Sequence, residues 1–286
     1  GPRWCLRLVT PERTLLAWDE LFWQPAAAVA ARRLIERASG LLVIAGPADS
    51  GREAVAATLL AELAGETINA VSVEDPLEFE LDWVAQAAVD ASAGQTAPAL
   101  LRGLTAQDTD VILVSAPADP ETVGLSLELA NSGPLVLLSA QAPDGLAAAQ
   151  AWLEQGVNPY ALGQAFAGAL GLRRARAVCP ACATEVPPSA ASAIMALGLD
   201  GELDLVTAGT GCAVCAGTGL AGWVPLVEVI EATQALRDAL GRAAPAEVLD
   251  ELAYSPQLPP LREQAAAAVR RGLCTPEGAY RALVTY

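Results

Sequence analysis

At 286 residues and 53% hydrophobic content the chain is long enough for one large α/β domain with a small appendage, and no apolar run approaches the ~18 residues that a membrane-spanning helix needs. Its 33 acidic residues outnumber 17 basic ones for a formal charge of −16, which argues against a nucleic-acid partner, because phosphate contacts need a basic face. Every cation is an arginine and histidine is absent, so no mechanism here can use a His base, a His ligand or a lysine.

Gly1-Pro2 reads as a protease-cleavage scar, and no signal-peptide pattern is present, so the expected compartment is the cytoplasm. Short buried runs then alternate with helical stretches, the pattern of a parallel sheet with crossover helices. Strands are expected at 41–45, 69–73, 111–115 and 134–139, and helices at 26–38, 53–64, 97–106, 120–131, 145–155 and 160–171. Residues 176–225 form a cysteine-bearing module, and 226–286 read as about three amphipathic helices interrupted at Pro259-Pro260, with a helix over 263–271.

Between the first expected strand and its following helix, residues 46–53 read GPADSGRE. The phosphate-loop pattern GxxxxGK[ST] uses glycines so that backbone N–H groups can curl around phosphates, Lys to neutralise the β/γ oxygens and a hydroxyl to ligate Mg²⁺. Gly46 and Gly51 keep the spacing and Ser50 precedes the second glycine, but Arg52 stands at the Lys position and Glu53 at the hydroxyl position. Arg is a good phosphate partner yet does not reproduce the Lys point charge. Glu53 puts a carboxylate at a helix N-terminus, where unpaired N–H groups favour an anion. It is expected either to occupy part of the phosphate site, paired with Arg52, or to point into solvent. ATP and Mg²⁺ are therefore doubtful ligands.

Four of the six cysteines fall as Cys179-x-x-Cys182 and Cys212-x-x-Cys215. Two such pairs a few tens of residues apart have the spacing of a structural zinc site with tetrahedral thiolates. Two disulfides of a secreted protein, or a redox pair, are the weaker readings. Four thiolates close the coordination shell and leave no open position for catalysis. Cys5 and Cys274 lie apart and read as ordinary buried thiols.

The order of these signals resembles the C-terminal ATPase domain of the type II secretion / type IV pilus assembly ATPase family, from about Trp4 to Tyr286. Val73-Glu74-Asp75-Pro76-Leu77-Glu78-Phe79-Glu80-Leu81 is similar to that family's acidic box, residues 107–114 to its QDPDVIMV strand, residues 156–162 to GVEPYLL, and residues 211–219 to GCxxCxGTG. The resemblance implies a RecA-like P-loop domain over 26–175, a zinc module over 176–225 and a helical subdomain over 226–286. Residues 1–25 would hold a remnant strand, at 5–9, and the linker from a preceding domain. It also exposes departures. The family's catalytic Glu falls on Ala116, the Arg two residues later on Ala118, and the two histidines of its His box on Pro134 and Gln141. The acidic box, Glu74, Asp75, Glu78 and Glu80, supports the Mg²⁺–nucleotide site in the family, but such a run also reads as a solvated turn.

Since phosphoryl transfer is mostly positioning and charge stabilisation, loss of all these groups together leaves no plausible catalyst. The resemblance thus implies a non-catalytic homologue, a pseudo-ATPase with a structural or regulatory role. Its partners would be related ATPase subunits and the inner-membrane platform protein of a secretion or pilus machine, placing it in the cytoplasm at the inner membrane. The alternatives are a slow ATPase with a rearranged site, and a regulator whose cleft accepts another small molecule.

Overall fold

The structure, a computed structural model, describes residues 15–284; the strand expected at 5–9 and Cys5 lie outside the described residues. Two helices lead in, α1 (Trp18–Leu21) and α2 (Pro25–Ile35), the second opened by a proline whose missing N–H would have had no helical partner. β1 (Gly40–Ala45) is buried at every residue, and the loop after it feeds α3 (Arg52–Leu63). β2 (Ala70–Glu74) is joined by β3 (Val84–Ala88), a strand whose sequence VAQAA carries little strand propensity and which the apolar pattern did not reveal. The alternation then runs as expected through α4 (Ala97–Leu104), β4 (Val111–Ser115), α5 (Pro120–Ser132), β5 (Leu135–Ala140) and α6 (Gly145–Glu154). Thr96, Asp119 and Asp144 cap the three helices, each side-chain oxygen accepting from an N–H of the first turn.

The helix expected over 160–171 is a correction. α7 (Pro159–Ala165) ends six residues early, and Phe166 opens the long strand β6 (Phe166–Val178). Ala, Leu and Gly there suit a helix locally, but tertiary packing decides otherwise. A Cβ at Gly168 would lie 2.3 Å from the Ile230 carbonyl oxygen, so only glycine permits this close pairing. After β6 come β7 (Ala183–Val186), α8 (Ala191–Leu197) and β8 (Val206–Gly209), then β9 (Leu220–Glu231). β9 crosses position 225, so residues 226–231 are strand rather than the start of a helical region. Four helices follow: α9 (Gln234–Gly241), α10 (Ala246–Ala253), α11 (Leu261–Arg270) and α12 (Pro276–Val284).

The main sheet has the order β3-β2-β4-β5-β1-β6-β9. Its first six strands are parallel and β9 returns antiparallel to β6. Alternation along β1 sends Leu41, Val43 and Ala45 into the layer beneath α4–α7, α9 and α10, and Leu42 and Ile44 into the layer beneath α1–α3. Burial on both faces is why these strands read as continuous apolar runs. A third cluster packs Ala175 and Leu226, beyond the central sheet, against α8, α11 and α12. The parallel register places the turns after β1, β5, β4 and β2 along one edge of the sheet, where open α/β sheets bind ligands.

Candidate phosphate loop and metal centre

The loop after β1 is shaped by its glycines. A Cβ on Gly46 would lie 2.3 Å from Ser50 Oγ and 3.0 Å from the Leu172 carbonyl oxygen. Gly51, at φ 88°, is the N-cap of α3 in the left-handed region that glycine adopts without strain. The free N–H groups of α3 would suit an anion. The side chain that fills this place is Arg52. Its Nη1 donates to the Gly46 carbonyl at 2.8 Å, its Nε to Ser139 Oγ at 3.1 Å, and its Nη2 pairs with Glu53 Oε1 at 2.8 Å. Each of the three guanidinium nitrogens has a partner from the chain itself. Ser139, at the end of β5, escaped sequence reasoning because its contact with Arg52 spans 87 positions.

Around this loop, Ala116 is buried after β4 and Gln141 is exposed after β5. Pro134 is not on this edge: its carbonyl accepts from Gly40 N at the start of β1, at the opposite end of the strands. It therefore does not line the cleft in which the sequence placed it. Glu74 also departs from the solvated-turn reading. It is 5% exposed and accepts hydrogen bonds from Ser72 Oγ (2.5 Å) and Gln86 Nε2 (3.0 Å), which tie it to β2 and β3. Asp75 and Glu80 are exposed and Glu78 is half-buried. With a carboxylate in the hydroxyl position and the loop's cation already engaged, these residues do not fit a Mg²⁺–nucleotide in this arrangement.

The four cysteines do converge. Cys179 ends β6, Cys182 precedes β7, and Cys212 and Cys215 lie between β8 and β9. Sγ separations are 3.9 Å for Cys179–Cys212, 3.8 Å for Cys182–Cys215 and 3.7 Å for Cys212–Cys215, and all four sulfurs lie within 4.8 Å of one another. A tetrahedral ion with metal–sulfur bonds of about 2.3 Å requires sulfur–sulfur edges of about 3.8 Å, so the set fits such an ion. The knuckle is built by backbone close approach. Gly209 and Gly219 touch so tightly that a Cβ on Gly209 would lie 2.0 Å from the Gly219 carbonyl oxygen. The N–H groups of Cys212 and Gly219 both donate to Cys215 Sγ at 3.2 Å. That donation, from Cys212 first, holds the Cys215 thiol down at about 6, favouring the thiolate a metal needs. Cys274 lies elsewhere, buried, with its thiol pushed up to about 12 by desolvation.

One buried ionisable group gave no sequence signal. Glu228 of β9 is 1% exposed and faces Gly171 of β6, where a Cβ would lie 2.4 Å from Glu228 Oε1. Its Oε2 accepts from Leu261 N at 2.9 Å. Burial, with the negative charge of Asp144, pushes its carboxyl up to about 8. Arg173, also buried, donates to the Pro143 and Leu172 carbonyls at 2.6 and 3.0 Å and lies close enough to oppose that shift.

Comparison with known proteins agrees with this architecture. The profile of the family described as type II/IV secretion system protein matches residues 1–281. The type IV pilus assembly ATPase PilB of Thermus thermophilus is 29% identical over 281 residues, covering 97% of this chain and 31% of that protein. The type II secretion system protein HxcR of Pseudomonas aeruginosa is 27% identical over 277 residues, covering 97% of this chain and 55% of that protein. The chain thus spans from about a third to about half of the length of these relatives. Among solved structures, the pilus retraction motor PilT with bound ADP aligns with a TM-score of 0.67 at 18% identity, covering 98% of this chain and 69% of that one. The ATPase DotB of Yersinia pseudotuberculosis aligns with a TM-score of 0.62 at 15% identity, covering 94% and 62%. At such identities these structures speak to the fold alone.

Proposed function

Since this chain belongs to the type II/IV secretion system protein family, we propose that it is a pseudo-ATPase, a non-catalytic structural or regulatory homologue of the secretion or pilus motor, acting through protein–protein contacts. The observation that carries this reading is Arg52: its guanidinium is bound by Gly46, Ser139 and Glu53, so the chain supplies its own occupant for the loop. Ala116 in place of an acidic residue and the absence of histidine support it from the chemical side. The cysteine set is then a closed structural zinc site, stabilising the module between β6 and β9 rather than serving catalysis. Partners follow from the family relation: related ATPase subunits, in homo- or hetero-oligomers, and the inner-membrane platform protein of such a machine. No helix among the described residues is long and apolar enough to cross a membrane, which is compatible with a cytoplasmic protein recruited to the inner membrane by those partners.

Calorimetric titration of metal-loaded protein with Mg-ATP tests the reading. The native chain should give no binding heat up to millimolar nucleotide, and Arg52→Lys/Glu53→Thr should restore binding. Micromolar binding by the native chain, or steady phosphate release from it, would favour the slow-ATPase alternative and overturn the proposal.

A further inference from the structure

Beside the loop, on the β6 side of the sheet, lies a cavity of about 460 Å³. Loop residues 47–50 form one wall; Arg173, Arg174 and Arg176 of β6, Trp223 of β9, and Glu277 and Arg281 of α12 form the rest. Arg52, Glu53 and Ser139 are not among its lining residues. The charge here opposes that of the chain: four arginines and only two carboxylates, Asp49 and Glu277, line it in a protein of formal charge −16.

Arg174 and Arg176, two positions apart, share one face of their strand. Their guanidinium carbons lie 4.2 and 4.7 Å from the centroid of the Trp223 ring. Among the described residues neither side chain joins an ion pair or a hydrogen bond. A guanidinium held over an indole keeps its N–H donors, while the contact restrains a side chain that would otherwise lose more entropy on binding. On the loop side Ser50 is 8% exposed, and its buried Oγ has no hydrogen-bond partner. Converging guanidiniums and a spare hydroxyl suit a multiply charged anion better than a single carboxylate. The volume is that of a small-molecule site.

We propose that this cavity binds a small phosphorylated molecule, its phosphate groups held by Arg174, Arg176, Arg281 and the Ser50 hydroxyl against the Trp223 face. The site goes beyond the pseudo-ATPase reading and does not depend on it. Titration of the full chain with inorganic pyrophosphate at low salt tests it, with Arg174→Ala/Arg176→Ala and the loop variant Arg52→Lys/Glu53→Thr alongside. The native chain should bind, and the first variant should lose at least about tenfold in affinity, since each hydrogen bond to a charged group contributes about that much. The loop variant should retain the native affinity. Arg176→Glu, at an exposed position, serves as a second variant, with thermal melting to confirm that each protein is folded. No pyrophosphate binding by the native chain would overturn the inference and leave the pseudo-ATPase reading standing. Binding that ignores both arginines but changes in the loop variant would place the anion in the loop and overturn both. Arginine-dependent sedimentation with phosphatidylglycerol vesicles in the absence of pyrophosphate binding would assign the face to lipid and also overturn it.

Discussion

Replacing Glu228 with Gln should abolish a large alkaline destabilisation of the fold. In the unfolded chain this carboxyl has its ordinary value of 4.5, and in the folded protein burial, before any other cause, lifts it to about 8. The sign follows from proton counting. Below pH 4.5 both states carry the proton and the contribution to stability is intact. Between 4.5 and about 8 the unfolded chain has released the proton and the folded protein has not, so stability falls by about 1.4 kcal/mol per pH unit. Over the whole window the loss is on the order of 5 kcal/mol, and between about pH 6 and about pH 9 it is roughly 3 kcal/mol. Glutamine keeps an oxygen that can accept from Leu261 N and carries no titrating proton, and it fits the space left by Gly171. Urea unfolding of both proteins at the two pH values measures the difference. Glu228→Gln should gain roughly 3 kcal/mol on the wild type between them. An equal gap at both pH values would mean that Glu228 titrates normally in the fold and would refute the reasoning.

Two further outcomes concern the cysteine module. Purified protein should carry one zinc ion per chain, and Cys215→Ser should lose it and raise hydrogen exchange over residues 179–219 while the central strands stay protected; equal exchange with and without metal would show that the ion does not organise the module. Gly209→Ala, which drives a methyl group into the Gly219 carbonyl, should weaken zinc retention against a chelator by at least about tenfold, as loss of ligand-orienting structure does elsewhere, and unchanged retention would show that the knuckle relaxes freely.

Much of the fold was legible because its signals are local. Strands buried on both faces give unbroken runs such as Leu41–Ala45, and N-caps such as Asp119 and Asp144 mark the helix starts. The cysteine cluster was legible for the same reason, since each pair lies within a single turn. What escaped depends on partners distant in sequence. β6 is a strand because β1 and β9 flank it, and its Ala-, Leu- and Gly-rich segment 166–172 carries no such instruction. β9 opens with Leu-Ala-Gly-Trp in a stretch that read as part of the cysteine module, and its pairing with β6 joins residues more than 40 positions apart. Glu228 looked like any acidic residue until β9 set it against Gly171. In the loop, the Arg52–Glu53 pair could be anticipated from adjacency, whereas the anchoring of Arg52 by Ser139 could not.

On the pseudo-ATPase reading, the two loop substitutions are unequal obstacles to nucleotide, and their sizes can be separated. Arg52 is a cation, and a phosphate could take over donors now given to Gly46 and Ser139, exchanging one set of hydrogen bonds for another at small net cost. Glu53 has no such exchange open to it. Its carboxylate, about one-third exposed, sits in the first turn of α3, where a phosphate oxygen would come to rest. Two like charges about 4 Å apart at an effective dielectric of about 20 repel by about 4 kcal/mol, close to a thousandfold in affinity. Freeing Arg52 from the pair recovers part of that cost, so the expected gain from Glu53→Thr alone is between about tenfold and a thousandfold. Arg52→Lys alone keeps the carboxylate and should gain less than about tenfold, because Lys remains free to pair with it. The reverse order in a side-by-side titration, with Arg52→Lys binding Mg-ATP and Glu53→Thr not, would locate the obstacle in the guanidinium's bulk and would remove the electrostatic basis of a closed loop.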